Sequence, residues 1–240
     1  MLNAYGSTSS LTNTAPRVAA HIDAAKTNGG GVTYDLEQRA VAWMLPRVPR
    51  WVHPDHLTAA SLPISLGVVL AGLGAVAHPA LLHLASLLVA LQWLTDTLDG
   101  ALGRVRCTGA VRWGFYADHM LDFLFLASVF GSYWKLAPAS WMLYVAFIIV
   151  GAIMVSSYLV VGACGRFQIA HYGVGPTEGR IVAVMINTLV WWCGAWILSW
   201  VLPAIIGLGI IALVFTARRE SRALSALDEA AREASRRELN

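Results

Sequence analysis

Residues 79–99 read PALLHLASLLVALQWLTDTLD, an apolar stretch that ends in two aspartates spaced three residues apart. An apolar segment of about 20 residues is typical of a helix that crosses a lipid bilayer. A carboxylate at membrane depth is costly unless its charge is compensated, so an acid in such a segment indicates a functional site. This stretch therefore predicts a membrane-spanning helix. It also predicts that a functional site lies at the C-terminal end of that helix.

The composition of the whole chain agrees with a membrane protein. Of its 240 residues, 57% are hydrophobic and 13% charged, against about 45–50% and 25% in soluble domains. This balance excludes a disordered chain, a nucleic-acid-binding domain and a typical cytosolic enzyme. The three cysteines are scattered without a CxxC pair, so no disulfide framework is expected.

Composition divides the chain into four parts. Residues 1–33 are polar and glycine-rich, lack a signal-peptide pattern and are expected to be flexible, with a short helix near 18–26. Residues 34–50 begin with an amphipathic pattern that predicts a helix in the membrane interface, or alternatively an ordinary packed helix. Residues 51–217 are expected to form the transmembrane domain, and residues 218–240 a polar, solvated helix.

Six apolar segments predict six transmembrane helices and hence an all-α integral membrane protein. The segments are 57–77, 79–94, 115–133, 140–161, 181–200 and 202–217. The basic residues support this topology, because cytoplasmic loops are enriched in Lys and Arg. With six spans, all of the 17 Lys and Arg residues except Lys135 fall on one side. Both termini are therefore predicted to face the cytoplasm.

Four aspartates lie where the second predicted span ends and the third begins. Asp96 and Asp99 are spaced i,i+3, and Asp118 and Asp122 are spaced i,i+4, so each pair shares one helix face. The short connection between the two helices would make them antiparallel. The four carboxylates are therefore expected to converge in one pocket at the cytoplasmic end of the bundle.

Such a pocket needs a counter-charge, because four carboxylates cannot stay ionised together in a low dielectric. Carboxylate oxygens suit hard divalent cations such as Mg²⁺, Mn²⁺ or Ca²⁺. Two such ions about 4 Å apart form the usual clamp for phosphoryl chemistry. The alternative is a buried salt-bridge network with the nearest arginines in sequence, which are Arg104, Arg106 and Arg112.

The residues around these aspartates match a known pattern. The chain reads DTLDGALGR at 96–104 and, after nine residues, GFYADHMLD at 114–122. This resembles the signature of the CDP-alcohol phosphotransferases, D-x2-D-G-x2-A-R-x8or9-G-x3-D-x3-D. Every fixed position matches except Gly103, where the family usually has alanine.

The resemblance implies an integral membrane enzyme with six transmembrane helices, commonly a homodimer, whose site faces the cytoplasm. In a bacterium it would lie in the plasma or inner membrane. Such enzymes transfer a substituted phosphate from a CDP-linked donor to an alcohol acceptor and release CMP, and one substrate is a lipid. The residues that the resemblance assigns to two divalent cations, Mg²⁺ or Mn²⁺, are Asp96, Asp99, Asp118 and Asp122. Those assigned to the nucleotide and its diphosphate are Gly100, Gly103, Arg104 and Gly114.

The transfer also needs a general base, because an alcohol is a poor nucleophile while it keeps its proton. The resemblance proposes Asp122 for this role, although a metal-bound carboxylate is a weak base. His119 is the other candidate, since histidine titrates closest to neutral pH. On a helix, however, His119 points about 100° away from Asp118, so a packing role for His119 stays open.

Two features favour the choline and ethanolamine phosphotransferase branch of the family. They are the pair Asp118–His119 and the sequence GPTEG at 175–179. The donor would then be CDP-choline or CDP-ethanolamine, and the acceptor a lipid alcohol such as diacylglycerol. Glu178 is a candidate for binding a cationic head group, or else an acid favoured by the helix dipole. Tyr116 and Tyr172 are candidates for a cation–π cage, or else anchors in the membrane interface.

The rival branch uses CDP-diacylglycerol as donor and inositol, inositol phosphate, glycerol phosphate or serine as acceptor. A phosphorylated acceptor requires basic residues near the site. The candidates are Arg106, Arg112, Arg166 and Arg180, whose alternative role is only to set the topology.

Two other classes of protein are weighed against the enzyme. A carboxylate-based ion or proton transporter would place its acids near the bilayer midplane and in corresponding halves of the chain. A membrane scaffold would need no buried acids. The clustering of the aspartates at one end favours the enzyme over both.

Overall fold

The computed structural model describes residues 32–106, 111–164 and 175–238, and within these ranges the chain is helical without a β-strand. The helices of the described ranges are α1 (Tyr34–Met44), α2 (Pro54–Gly74), α3 (Leu81–Arg106), α4 (Val111–Ser132), α5 (Ser140–Cys164), α6 (Pro176–Cys193) and α7 (Leu198–Glu238). The expected short helix near 18–26, and nearly all of the segment predicted to be flexible, lie outside the described residues.

Four helical segments are long and apolar enough to cross a membrane. They are α2, α3, α5 and the segment Ala195–Arg237, which contains most of α7. The protein is therefore an integral membrane protein. Among the described helices, α4 and α6, which carry charged residues of the candidate site, do not meet that standard. The count of six spans, the cytoplasmic termini and the division into four parts stay predictions.

The outer surface of these helices is apolar. Leucine and isoleucine side chains such as Leu66, Leu87, Ile148 and Leu208 are more than half exposed. An apolar surface of this extent is not stable in water and fits the acyl chains of a bilayer. On α1, Leu36 also stays exposed, which suits the expected position of that helix in the membrane interface.

The helices differ from the predicted spans most clearly at two places. Helix α3 continues to Arg106 instead of ending near residue 94, so the DTLD aspartates lie on one unbroken helix. Helix α6 ends at Cys193, because Gly194 has a φ of 91°, a left-handed conformation that favours glycine. A short 3-10 turn at Ala195–Ile197 then leads into α7. The fifth predicted span therefore ends seven residues earlier than expected.

The predicted sixth span and the predicted polar tail form one helix. Helix α7 has 41 residues and runs without a break from apolar to polar sequence. The tail is rich in Ala, Glu and Arg, which are strong helix formers, so nothing in it ends the helix.

Helix packing brings the candidate site to one end of the bundle. Helix α2 packs against α3 and α4, α6 packs against α3, and α5 packs against α7 and α4. The larger apolar core is formed where α3 begins and α4 ends, and it includes Leu82, Tyr133 and Val190. The end of α3 and the start of α4 therefore meet at the opposite end of the bundle.

Gly72 of α2 allows a close contact between α2 and α4. A Cβ atom at this position would overlap the carbonyl oxygen and the Cβ of Ser132. We expect Gly72→Ala to lower the free energy of unfolding by about 1–3 kcal/mol, because helix backbone on both sides would have to move. Thermal unfolding of the protein in detergent would measure this.

Gly131→Ala is the matched control for Gly72→Ala. Gly131 lies on α4 beside the same interface, and a Cβ there would be 3.9 Å from the side chain of Val69. Both substitutions gain the same helix propensity. Equal melting temperatures for the two variants would show that the contact at Gly72 is not tight.

Candidate active site

The four motif aspartates lie together across two helices. Asp96 and Asp99 stand about one turn apart toward the end of α3, and Asp118 and Asp122 about one turn apart in the first half of α4. Across these helices the carboxylates are close enough to interact electrostatically with one another. The structure thus brings together all four acids that the spacing placed on two helix faces.

Arg180 of α6 brings a positive charge into this cluster. Its Nη2 donates hydrogen bonds to Asp96 Oδ2 at 2.8 Å and to Asp122 Oδ1 at 3.4 Å. Only 8% of the Arg180 side chain is exposed, and a buried guanidinium needs such anionic partners. Arg180 therefore joins α6 to both helices that carry the aspartates.

The arginines that are nearest to the aspartates in sequence do not take the position that Arg180 takes. Arg106 donates hydrogen bonds to backbone carbonyls of the segment between α1 and α2, and so holds that segment against the end of α3. The acceptors are the carbonyl oxygens of Val48, Pro49, Arg50 and Val52. Arg104 is exposed in the last turn of α3. The side chain of Arg112, and the residues Arg166 and Tyr172, lie outside the described part of the chain.

Thr58 of α2 orients one of the carboxylates. Its hydroxyl donates a hydrogen bond of 2.9 Å to Asp99 Oδ2 and also lies 3.2 Å from the carbonyl oxygen of Pro54. Thr58 is buried. Sequence reasoning missed this residue, since a threonine in an apolar segment gives no signal until helix packing shows what it faces.

His119 lies inside the cluster rather than away from it. Its Nδ1 is 3.3 Å from Asp118 Oδ2, although adjacent positions on a helix diverge by about 100°. The imidazole also packs against the rings of Phe115 and Tyr158, with centroid distances of 4.2 and 4.9 Å. Asp118, His119 and Asp122 each offer a ligand atom, and these atoms lie within 4.8 Å of one another.

The glycines of the motif line the same region. Gly100 and Gly103 are half-buried on α3 after Asp99, and Gly114 is half-buried near the start of α4. A Cβ atom at Gly114 would meet no other heavy atom within 4 Å, so there is open space beside this backbone. The assignment of these glycines and of Arg104 to a nucleotide stays a prediction.

Glu178 is engaged by backbone and hydroxyl donors at the start of α6. Its Oε1 accepts hydrogen bonds from the N–H and the hydroxyl of Thr33, at 2.9 and 2.8 Å, and its Oε2 accepts one from the N–H of Gly175 at 2.8 Å. Partial burial acts to raise the pKa of Glu178, but these hydrogen bonds outweigh it and hold the pKa below its usual value. This geometry gives no support to a contact with a head group. Tyr116 is 68% exposed on α4, and its head-group role stays a prediction.

A groove of about 460 Å³ opens beside Arg180 between α1, α3 and α6. Its polar residues lie at or near the starts of α1 and α6, and its apolar residues lie on α1 and extend along α3 and α6 away from the aspartates. The polar residues are Thr33, Glu37, Thr177 and Arg180, and the apolar ones are Leu36, Ala40, Val89, Ala90, Trp93, Ile181, Val184 and Met185.

Membrane-spanning helices and converging carboxylates define an integral membrane protein with an acid-based site at one end of its bundle. A family model described as CDP-alcohol phosphatidyltransferase matches residues 51–223, and the chain belongs to that family. Neither a curated protein nor a solved structure gives a significant match. The protein is therefore a transferase of phospholipid synthesis that takes a phosphate group from a CDP-alcohol.

The family is known for its use of divalent metal ions, and the residues present here fit such an ion. The donor set is rich in carboxylate oxygen, which Mg²⁺ and Mn²⁺ prefer, and three of its ligand atoms are already grouped around Asp118 and Asp122. Arg180 lies between two of these carboxylates and supplies one positive charge to a group of four acids.

Proposed function

We propose that this protein transfers a substituted phosphate from a CDP-linked donor to an alcohol acceptor, with release of CMP, and that one of the two substrates is a lipid. The observation that carries the proposal is the convergence of the four motif aspartates on α3 and α4. A transporter is disfavoured because these acids cluster at one end of the bundle.

The aspartates are proposed as ligands of two divalent cations, Mg²⁺ or Mn²⁺. The ligands would be Asp96, Asp99, Asp118 and Asp122. Bound there, the cations would neutralise the charge of the diphosphate and of the departing CMP. Thr58 holds the carboxylate of Asp99, and the guanidinium of Arg104, in the last turn of α3, would contact phosphate oxygens.

His119 is proposed as the general base, with Asp122 as the alternative. A hydrogen bond from Nδ1–H of His119 to Asp118 would fix the imidazole tautomer and leave Nε2 as the basic nitrogen. The contacts with Phe115 and Tyr158 fix the ring plane. Asp122 is the weaker candidate, because its carboxylate already accepts a hydrogen bond from Arg180 and is itself proposed as a cation ligand.

The groove beside Arg180 is proposed to hold part of the lipid substrate. Its apolar walls fit an acyl chain, and Arg180 at its end joins it to the carboxylate cluster. The ring of Trp93 adds to these apolar walls.

Two substrate pairs are compatible with this site. CDP-choline or CDP-ethanolamine with diacylglycerol is favoured by the pair Asp118–His119 and by the sequence GPTEG. CDP-diacylglycerol with a small polar acceptor is favoured by the position of Arg180, which stands where the apolar groove meets the carboxylates. The homodimer that the family resemblance implies stays a prediction.

Release of CMP by the purified protein tests the proposal. The protein in detergent with Mg²⁺ or Mn²⁺ would receive CDP-choline, CDP-ethanolamine or CDP-diacylglycerol, each with and without diacylglycerol, inositol, inositol phosphate, glycerol phosphate or serine. We expect CMP release that depends on both metal and acceptor. No release with any pair would contradict the proposal, and turnover of CDP-diacylglycerol alone would overturn the first substrate pair.

A further inference from the structure

Helix α1 is joined to the start of α6 by polar contacts across more than a hundred residues of sequence. The hydroxyl of Thr177 donates a hydrogen bond of 2.6 Å to Glu37 Oε2. Next to it, the N–H and hydroxyl of Thr33 donate to Oε1 of Glu178. The start of α6 and the segment 33–37 thus each contribute one acid and one threonine, and we call these four residues the clasp.

The clasp lies directly beside Arg180. Thr177 and Arg180 are spaced i,i+3 on α6, so their side chains share one helix face, and both line the groove together with Glu37. The carboxylate of Glu37 is close enough to Arg180 to interact with its charge. Arg180 therefore binds Asp96 and Asp122 and lines the same groove as Glu37.

Packing of α1 against its neighbouring helices would not by itself require an acid at position 37. Glu37 is half-buried among residues of an otherwise largely apolar groove, and a carboxylate in such a place costs free energy unless it is paired. Asp35 and Gln38, its neighbours on α1, are exposed. Of these three residues of α1, Glu37 is the one that lines the groove with Arg180, and its charge is partly buried.

We propose that Glu37 is a positioning residue of the transfer site, acting through Thr177 and Arg180. The inference rests on the proposed function. By hydrogen-bonding Thr177, Glu37 fixes the first turn of α6, and by its charge it limits the conformations of the long Arg180 side chain. A guanidinium restrained in this way keeps its place against Asp96 and Asp122 while phosphate groups bind and leave.

The experiment compares Glu37→Gln with Asp35→Asn in the acceptor-dependent CMP assay. Glutamine keeps an oxygen that accepts from Thr177 but has no charge, and Asp35→Asn removes an exposed charge from the same turn of α1. We expect Glu37→Gln to lower kcat about tenfold with less than a twofold change in KM, as for the loss of a residue that orients a ligand group. Asp35→Asn is expected to change kcat less than twofold.

A second comparison separates positioning from a general loss of stability. In an Arg180→Lys background, Glu37→Gln should lower kcat less than twofold further, because its effect passes through the guanidinium that is already missing. Thr177→Ser, which keeps the hydroxyl, should retain more activity than Thr177→Val. The melting temperature of Glu37→Gln should match that of Asp35→Asn.

The inference fails if Glu37→Gln is as active as Asp35→Asn, or if Glu37→Gln lowers kcat equally in the wild type and in Arg180→Lys. It also fails if a lower melting temperature of Glu37→Gln accounts for its whole loss of activity. These comparisons require a wild-type protein that releases CMP when the acceptor is present. Wild-type protein without acceptor-dependent CMP release would overturn the proposed function itself, so the two failures are distinguishable.

Discussion

Asp118→Asn is expected to lower acceptor-dependent CMP release on the order of 10²–10³-fold, the loss typical of removing one preorganised electrostatic group from an active site. Asp118 interacts with the carboxylates of α3 and also contacts His119. The substitution therefore removes a proposed cation ligand and the acid that orients the proposed base. The amide keeps the size of the side chain, so the bundle should still fold.

Asp55→Asn is the matched control for this substitution. Asp55 is an exposed acid in the first turn of α2, and its loss should change the rate less than twofold. Binding of Mn²⁺, followed by electron paramagnetic resonance, gives a second measurement that does not depend on turnover. Wild-type Mn²⁺ affinity together with more than a tenth of the wild-type rate in Asp118→Asn would contradict the assignment.

Arg180→Gln is expected to lower the free energy of unfolding by about 3–5 kcal/mol in the absence of divalent cations, because breaking a buried ion pair leaves uncompensated charge. Arg180 is buried between Asp96 and Asp122, and glutamine cannot neutralise either carboxylate. Mg²⁺ should then raise the melting temperature of the variant more than that of the wild type, since the cation supplies the missing charge.

Arg39→Gln, at an exposed position on α1, is the control for the loss of an arginine and should change the melting temperature little. Adding Asp96→Asn to Arg180→Gln should recover part of the lost stability, because one of the two unpaired charges is then gone. A variant as stable as the control without Mg²⁺, or a double variant less stable than Arg180→Gln, would show that the ion pairs do not hold the cluster.

The apolar helices and the grouping of the aspartates can be predicted from the sequence, because both depend on local spacing. A helix of 3.6 residues per turn puts positions i, i+3 and i+4 on one face whatever the rest of the chain does. Asp96 and Asp99 therefore had to face the same way on α3, as did Asp118 and Asp122 on α4. The family pattern at 96–122 fixed the chemistry to which these acids belong.

The partners of those acids could not be read in the same way, because they depend on how helices pack. Arg180 is 84 residues from Asp96, and Thr58 is 41 residues from Asp99. Arg180 was a candidate for a phosphorylated acceptor or for setting the topology, and neither role predicts that it binds the aspartates. The end of α6 was missed for a local reason, since the left-handed backbone of Gly194 interrupts a sequence that is apolar on both sides.

The unbroken course of α7 has a consequence for the shape of the molecule. A helix of 41 residues is about 60 Å long at 1.5 Å per residue, roughly twice the thickness of a bilayer's hydrocarbon layer. Its polar half must extend beyond the lipid as a rod. A fluorophore or affinity tag attached to the last turn of α7 would therefore stand up to about 30 Å beyond the hydrocarbon layer, clear of the lipid headgroups.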